Sequence, residues 1–330
     1  QALNRLSSSG AISHLRRINT TGDNIMIGQR KLHGTQFGII CPVETPDGGN
    51  IGIKKHLTVF GHITFGCDPN PVIKALYDNG VISLDNCFPA MINKKTKVFV
   101  NGLWVGITPD PKELISVMKL LRRNGLINVF TSISWSIQTG EINILTDGGR
   151  CCRPLYTLED NKLNIKKAHI DMLNSKKIIW NNLIGGLKNA NVNNLYDCNY
   201  RCPEVREDFS LNLDALEKTK GVIEYIDTDE ADTIMLKTTI NEENNGERFS
   251  HCEIHSSLIM GFIGFTIPFV NTSQAPRNVY GTGQTKQSGG MYVSNFKNRF
   301  DTSAHVLFYP EKPLVGTRMS DYVFANQLPT

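Results

Sequence analysis

The sequence predicts an α+β protein, strand-rich and multi-module, with mixed β-sheets and short helices. Three observations carry this. The run KVFVNGLWVGIT places Asn101-Gly102 between alternating apolar residues, the strongest short-range hairpin signal. The run PKELISVMKLLRRNGL spaces Leu114, Val117, Met118 and Leu121 at a helical period, with Asp110 set to cap its start and Gly125 after Asn124 to stop it. At 330 residues the chain exceeds the usual size of one domain, so about two to four modules are expected.

Residues 1–66 open with QALNRLSSSGAISHLRRINTTGDN, where Arg5, His14, Arg16 and Arg17 meet no acid until Asp23. The stretch that follows carries Gly38, Pro42, Pro46, Gly48, Gly49 and Gly52, which break helices and impose turns between short apolar strands. Residues 67–156 hold the Asn101-Gly102 hairpin, the capped helix and a second hairpin, in which Ile133, Trp135 and Ile137 oppose Ile142 and Ile144 across a Gly140 turn. Residues 157–249 are rich in Asn and Lys, with a helix expected in LNLDALEKTKG, a strand in GVIEYID and an acidic loop in NEENNGE. Residues 250–330 begin with the apolar run SSLIMGFIGFTIPFV and pass into NTSQAPRNVYGTGQTKQSGG, whose small polar residues read as a long loop. FYPEKPLVGTR then holds extended backbone through Pro310 and Pro313.

A hydrophobic fraction of 40% and a charged fraction of 20% describe an ordinary folded chain. The net charge of +4 permits a nucleic-acid partner without arguing for one. The longest apolar run, Ile254–Val270, is broken by His255, Ser256, Ser257, Thr266 and Pro268, so no membrane partner is expected and the chain reads as soluble. Gln1 is not an initiator and no signal segment follows it, which suggests an internal piece of a longer polypeptide. The eight cysteines, without a signal and in a chain of this size, suit reduced thiols inside a cell.

Catalytic motifs are scarce. HCEIH offers His251 and His255 at a zinc spacing, but Cys252 stands where the general-base Glu belongs; CNYRC offers Cys198 and Cys202 without a second pair. No nucleophile elbow, P-loop or GxGxxG occurs, and the acids are too dispersed to hold a catalytic metal. The acid-free stretches remain. Arg277, between Pro276 and Asn278, presents a planar fork that suits two phosphate oxygens, and pairing with a distant carboxylate is the competing reading. Lys286, Gln287, Lys297 and Arg299 extend the same positive surface, while Lys54, Lys55 and His56 read as solvated.

The segments ISHLRRINT, CPVETPDGGNIGI, TDGGRCCRPL, GVIEYID, HCEIHSSLIMG, QAPRNVYGTGQTKQ and YPEKPLVGTR, in this order, resemble landmarks of the second-largest subunit of multisubunit DNA-directed RNA polymerases. The likeness is to the eukaryotic, archaeal and large-DNA-virus type, homologous to the bacterial β subunit. It implies a fork region at 1–66, two external modules at 67–156 and 157–249, and the start of a hybrid-binding region at 250–330. It implies that Arg277 contacts the phosphates of an incoming nucleoside triphosphate, and that Lys286 and Gln287 lie against nucleic acid near the RNA 3′ end. Arg16, Arg17, Lys297 and Arg299 would face nucleic acid, with Glu44 and Asp47 near the active centre.

Mg²⁺ would be held mainly by the largest subunit. The implied partners are that subunit, the other polymerase subunits, template DNA, nascent RNA and nucleoside triphosphates. The implied location is intracellular, in nucleus or cytoplasm, or in a viral particle or factory. Asp47 departs from the family's Glu and shortens that side chain by one methylene, and TTGDN is a short form of the fork loop. A nucleic-acid-holding module without a catalytic part, and a zinc module on Cys198, Cys202, His251 and Cys252, are the competing readings.

Overall fold

Asp110 starts the longest helix by accepting hydrogen bonds from the amides of Lys112 and Glu113, and Pro111 at its first position needs no donor. The helix, Pro111–Arg123, buries Leu114, Val117, Met118 and Leu121, and ends at Asn124 before Gly125, whose φ of 64° is left-handed. The computed structural model describes residues 2–19, 26–92, 95–187, 212–241, 246–288, 290–309, 311 and 313–323. The fork-loop stretch TTGDN and the CNYRC cysteines lie outside them.

By its internal contacts the chain forms two units, residues 62–256 and residues 1–61 with 257–330. The four expected segments are finer than this division. In unit 62–256 a five-stranded sheet runs in the order Ile82–Ser83, Leu103–Thr108, Thr96–Val100, Glu141–Leu145, Ser132–Ser136. Asn101 (φ 49°) and Gly102 (φ 80°) make the turn that pairs Val100 with Leu103, as NG between alternating runs predicts. The second hairpin pairs Ile133 with Ile144 and Trp135 with Ile142. It ends at Ser136, leaving Ile137 exposed. The Pro111–Arg123 helix and the helix Asn70–Asp78 contribute Val72, Leu76, Leu114 and Met118 to the core of this sheet.

The second sheet of this unit is organised by one nine-residue strand, Cys151–Glu159. Strands His62–Ile63, Ile223–Asp227, His251–Cys252 and Lys162–Leu163 all pair with it, antiparallel. Cys152 lies on this strand, and burial pushes its thiol up to about 12, so it stays protonated and inert. Cys41, Cys87, Cys151 and Cys152 are free thiols, whereas Cys67 is disulfide-bonded, a departure from reduced cysteines throughout.

A buried ion network fastens the long helix to the second sheet. Arg122 is only 1% exposed. Its guanidinium donates to both Glu230 carboxylate oxygens (2.7 and 2.9 Å), to Glu224 (3.1 Å) and to the Thr131 carbonyl (2.7 Å). Arg123 and His251 complete the shell of Glu224, and Lys119 reaches Glu230 at 3.2 Å. Burial opposes the charge on Glu224, but Arg123 and Arg122 overcome it and hold the carboxyl well below its usual range. Removing one partner of such a set strands the others without compensation. Arg122→Met is therefore expected to cost about 3–5 kcal/mol, read as a lower denaturation midpoint of the chain at unchanged slope; a loss below 1 kcal/mol would show that the network does not hold these elements together.

Candidate nucleic-acid interface

The unit formed by residues 1–61 and 257–330 concentrates the positive charge. It carries thirteen Lys and Arg against six Asp and Glu, an excess of +7 in a chain whose total is +4. No acid stands between Glu253 and Asp301. The weak overall charge therefore hides a segregated one, suited to an anionic partner.

Within this stretch the structure corrects the expected loop: Ala275–Thr285 is an eleven-residue α-helix. Glycine and threonine are poor helix formers, and local composition pointed elsewhere. Tertiary partners override it. Asn278 and Thr282, one turn apart, are buried, and the Asn278 side chain donates to the Val270 carbonyl at 2.9 Å. The Thr282 and Thr285 hydroxyls turn back onto the carbonyls of Val279 (2.8 Å) and Gly281 (2.7 Å). Gly281 lets the helix approach closely, since a Cβ there would stand 3.3 Å from Ile267.

Arg277 lies in the first turn of this helix, outside the buried face of Asn278 and Thr282, and is exposed. Its guanidinium sits 5.7 Å from the ring of Tyr280, one turn on, a cation–π contact that directs it without neutralising it. Among the described residues no carboxylate pairs with it. The side chain is thus a fork with its donors free for an anion.

Lys286 behaves differently. It caps the end of the helix and turns inward, its Nζ 3.1 Å from Oε1 of Glu44 and 3.4 Å from Nε2 of His56. Glu44 is buried and also accepts a 2.6 Å bond from the Ser13 hydroxyl. Gly261 makes room for the carboxylate, because a Cβ there would lie 2.6 Å from Oε2. The expectation of a solvated His56 is corrected: the ring is buried and its Nδ1 meets the Glu44 carbonyl at 2.9 Å. A carbonyl can only accept and an ammonium can only donate, so the ring is neutral with its proton on Nδ1. Burial pushes the imidazole below its ordinary value, against the pull of Glu44 and with that of Lys286.

The backbone of Lys286 is held too. Its carbonyl accepts a 2.6 Å bond from the Ser7 hydroxyl, and Ser7 caps the helix Ser8–Leu15 by accepting from the Gly10 amide at 3.0 Å. The start of one helix thus meets the end of the other, dipole to dipole. Gly10 permits the approach: a Cβ would come within 2.8 Å of that carbonyl oxygen.

The remaining expected residues are dispersed. Arg16 spends its guanidinium on the carbonyls of Thr58 (2.6 Å), Val59 (3.2 Å) and Gly61 (2.9 Å), a clamp inside the protein. Arg17 is half-buried on the strand Arg17–Ile18, opposite His56 on Lys55–His56. Asp47 is exposed at the turn Gly48–Asn50, apart from buried Glu44. Gln287 and Lys297 are exposed, and Arg299 is paired with Asp301 at 2.7 Å. Ser7, Gly10, Ser13 and His56 were not singled out as site residues, and no local pattern marks them. HCEIH is not helical, since His251 and Cys252 form a strand and His251 is bonded to Glu224 at 2.9 Å. Among the described residues no group of three or more His, Cys, Asp or Glu side chains is arranged to hold a metal ion.

Three domain families match the chain, and together they cover more than half of it: RNA polymerase Rpb2, domain 3, at residues 1–63; domain 4 at 98–159; and domain 6 at 263–330. Among similar curated proteins, DNA-directed RNA polymerase II subunit 2 of Arabidopsis thaliana is 37% identical over 100% of this chain and 26% of its own length. DNA-directed RNA polymerase subunit 2 of Acanthamoeba polyphaga mimivirus is 29% identical over 100% of the chain and 27% of its own length. The Rpo2 subunit of Sulfolobus acidocaldarius gives the same figures, 29% over 100% and 27%. The chain thus spans about a quarter of the length of the relatives it matches.

Two outcomes follow from the geometry. Gly10→Ala should destabilise the chain by about 1–3 kcal/mol, because backbone and not a flexible side chain must move; a thermal midpoint equal to that of the parent would refute the contact. His56, depressed when folded, contributes stability that is complete above its ordinary value of 6.5 and declines as pH falls through the folded value. Unfolding free energy measured from pH 7.5 to 5 should show this decline, and His56→Asn should flatten it.

Proposed function

Because the chain belongs to the Rpb2 family of second-largest RNA polymerase subunits, we propose that it positions incoming nucleoside triphosphate and the RNA–DNA hybrid during template-directed nucleotidyl transfer. The observation that carries this reading is Arg277: an exposed guanidinium without an acid partner, held in a helix whose far end is pinned by Ser7 and Glu44. Transfer of a nucleotidyl group concentrates negative charge on phosphate oxygens, and a fixed cation lowers the barrier by being in place beforehand. A bidentate fork on a rigid helix answers that need better than a loop would.

Mg²⁺ supplies Lewis-acid chemistry in such enzymes, but among the described residues no group of three or more His, Cys, Asp or Glu side chains is arranged to hold it. In this reading the largest subunit holds the ion. The other polymerase subunits, template DNA, nascent RNA and nucleoside triphosphates are the remaining partners, and the setting is intracellular. Gln287 and Lys297 would line the path of the nucleic acid from the exposed side, with Arg17 at its edge. Arg16 and Arg299, committed to internal carbonyls and to Asp301, would act through structure.

In the assembled polymerase, Arg277→Ala should raise the apparent KM for nucleotide and slow addition, a loss on the order of 2–3 kcal/mol in transition-state stabilisation. Single-nucleotide addition on a primed scaffold measures this directly. A variant with unaltered nucleotide dependence but faster hybrid loss would reassign Arg277 to holding nucleic acid.

A further inference from the structure

Of the two cations on the 275–286 stretch, Arg277 faces solvent and Lys286 turns inward to Glu44. The inward position is poised for release. The Lys286 side chain remains 16% exposed while Glu44 is 1% exposed, so the aliphatic stem already leads from the carboxylate to the surface. The two residues that follow it, Gln287 and Ser288, are exposed. Its second contact, 3.4 Å to His56, is long for a hydrogen bond.

Release would be prohibitive if it left Glu44 alone, since an uncompensated buried carboxylate is strongly destabilising. Two groups prevent this. Ser13 keeps its 2.6 Å bond to Oε1, and His56 Nε2 stands 3.8 Å from the same oxygen, occupied until then by the Lys286 ammonium. The charged groups that act on His56 are Glu44, Lys286 and Arg17. With Lys286 gone, one opposing cation is removed and the attraction of Glu44 remains.

We infer that Lys286 is a switched cation: nucleic-acid phosphate draws its ammonium away from Glu44, and His56 takes a proton from water at Nε2 and replaces it as the partner of the buried carboxylate. Glu44 and phosphate then compete for one ammonium, and grip on nucleic acid is coupled to the uptake of one proton. A compact, strongly hydrated ammonium on a flexible stem suits this exchange, as a guanidinium locked on carbonyls, such as that of Arg16, does not. This inference rests on the polymerase reading above.

The test is retention of an RNA–DNA hybrid scaffold by the assembled polymerase, measured against salt and pH. Lys286→Met should reduce the slope of log retention against log salt by about 0.7–0.9, one phosphate contact. Glu44→Gln, isosteric and uncharged, should prolong retention about three- to tenfold, and the gain should vanish when Lys286→Met is also present. Retention by the parent should tighten as pH falls from 7.5 to 6, and His56→Asn should abolish that trend. Lys286→Gln, which still donates to Glu44, replaces Met if the latter does not assemble. An unchanged salt slope in the Lys286 variants, or a Glu44→Gln gain that persists without Lys286, overturns the switch. The polymerase reading fails separately, if the parent complex extends no primed RNA.

Discussion

A charge removed from water must keep a partner, and both units of this protein are organised by that requirement. In one, Glu224 and Glu230 surround Arg122, and the long helix, the strand Ile223–Asp227 and the loop at Thr131 are drawn to a single guanidinium. In the other, Glu44 collects Ser13, His56 and Lys286, the last from the far end of the chain. The difference lies in the cation. Arg122 is planar, fully enclosed and satisfied on several sides, whereas Lys286 is a point charge on a stem that still touches solvent. The first arrangement suits permanence, the second exchange.

The same requirement explains how charge is displayed. The unit holding Glu44 has an excess of +7, yet several of its cations are already engaged: Arg16 and Lys286 inside the protein, on carbonyls and on Glu44, and Arg299 at the surface, on Asp301. Arg277 stands out because the acid-free sequence around it offers nothing to neutralise it. An excess of this kind sets up a field suited to an anionic partner, and a placed, unneutralised guanidinium adds direction to it.

What was legible in the sequence was local. The Asn101-Gly102 turn, the Ser132–Ser136 hairpin and the helix from Asp110 to Asn124 each rest on neighbours within a few residues, so their signals are self-contained. The helix Ala275–Thr285 was not legible, because glycine and threonine disfavour it alone and the buried contacts of Asn278, Gly281 and Thr282 supply the missing stability. The site divides in the same way. Arg277 could be found from the lack of acids around it, a property of the string. The inward turn of Lys286 depends on residues more than two hundred positions away, and the burial of His56 and the role of Ser13 on a Glu44 that lies 12 and 31 positions from them, so no local period carries a trace of them. The family likeness marked Glu44 and Lys286, but not that they meet.

The bond from the Ser7 hydroxyl to the Lys286 carbonyl closes a separation of 279 residues. Everything from 62 to 256 lies between the two halves of that unit. On a ribosome the first half emerges, then the whole of the other unit, and only afterwards the helix that the first half needs. At about 5–20 residues per second the wait is roughly 10 to 40 seconds. Through it, Glu44 has neither Lys286 nor the packing that buries it, and the helix Ser8–Leu15 has no carbonyl to meet its first turn. The order of synthesis therefore runs against the order of assembly, and the unit that carries the positive excess is the later of the two to acquire its structure.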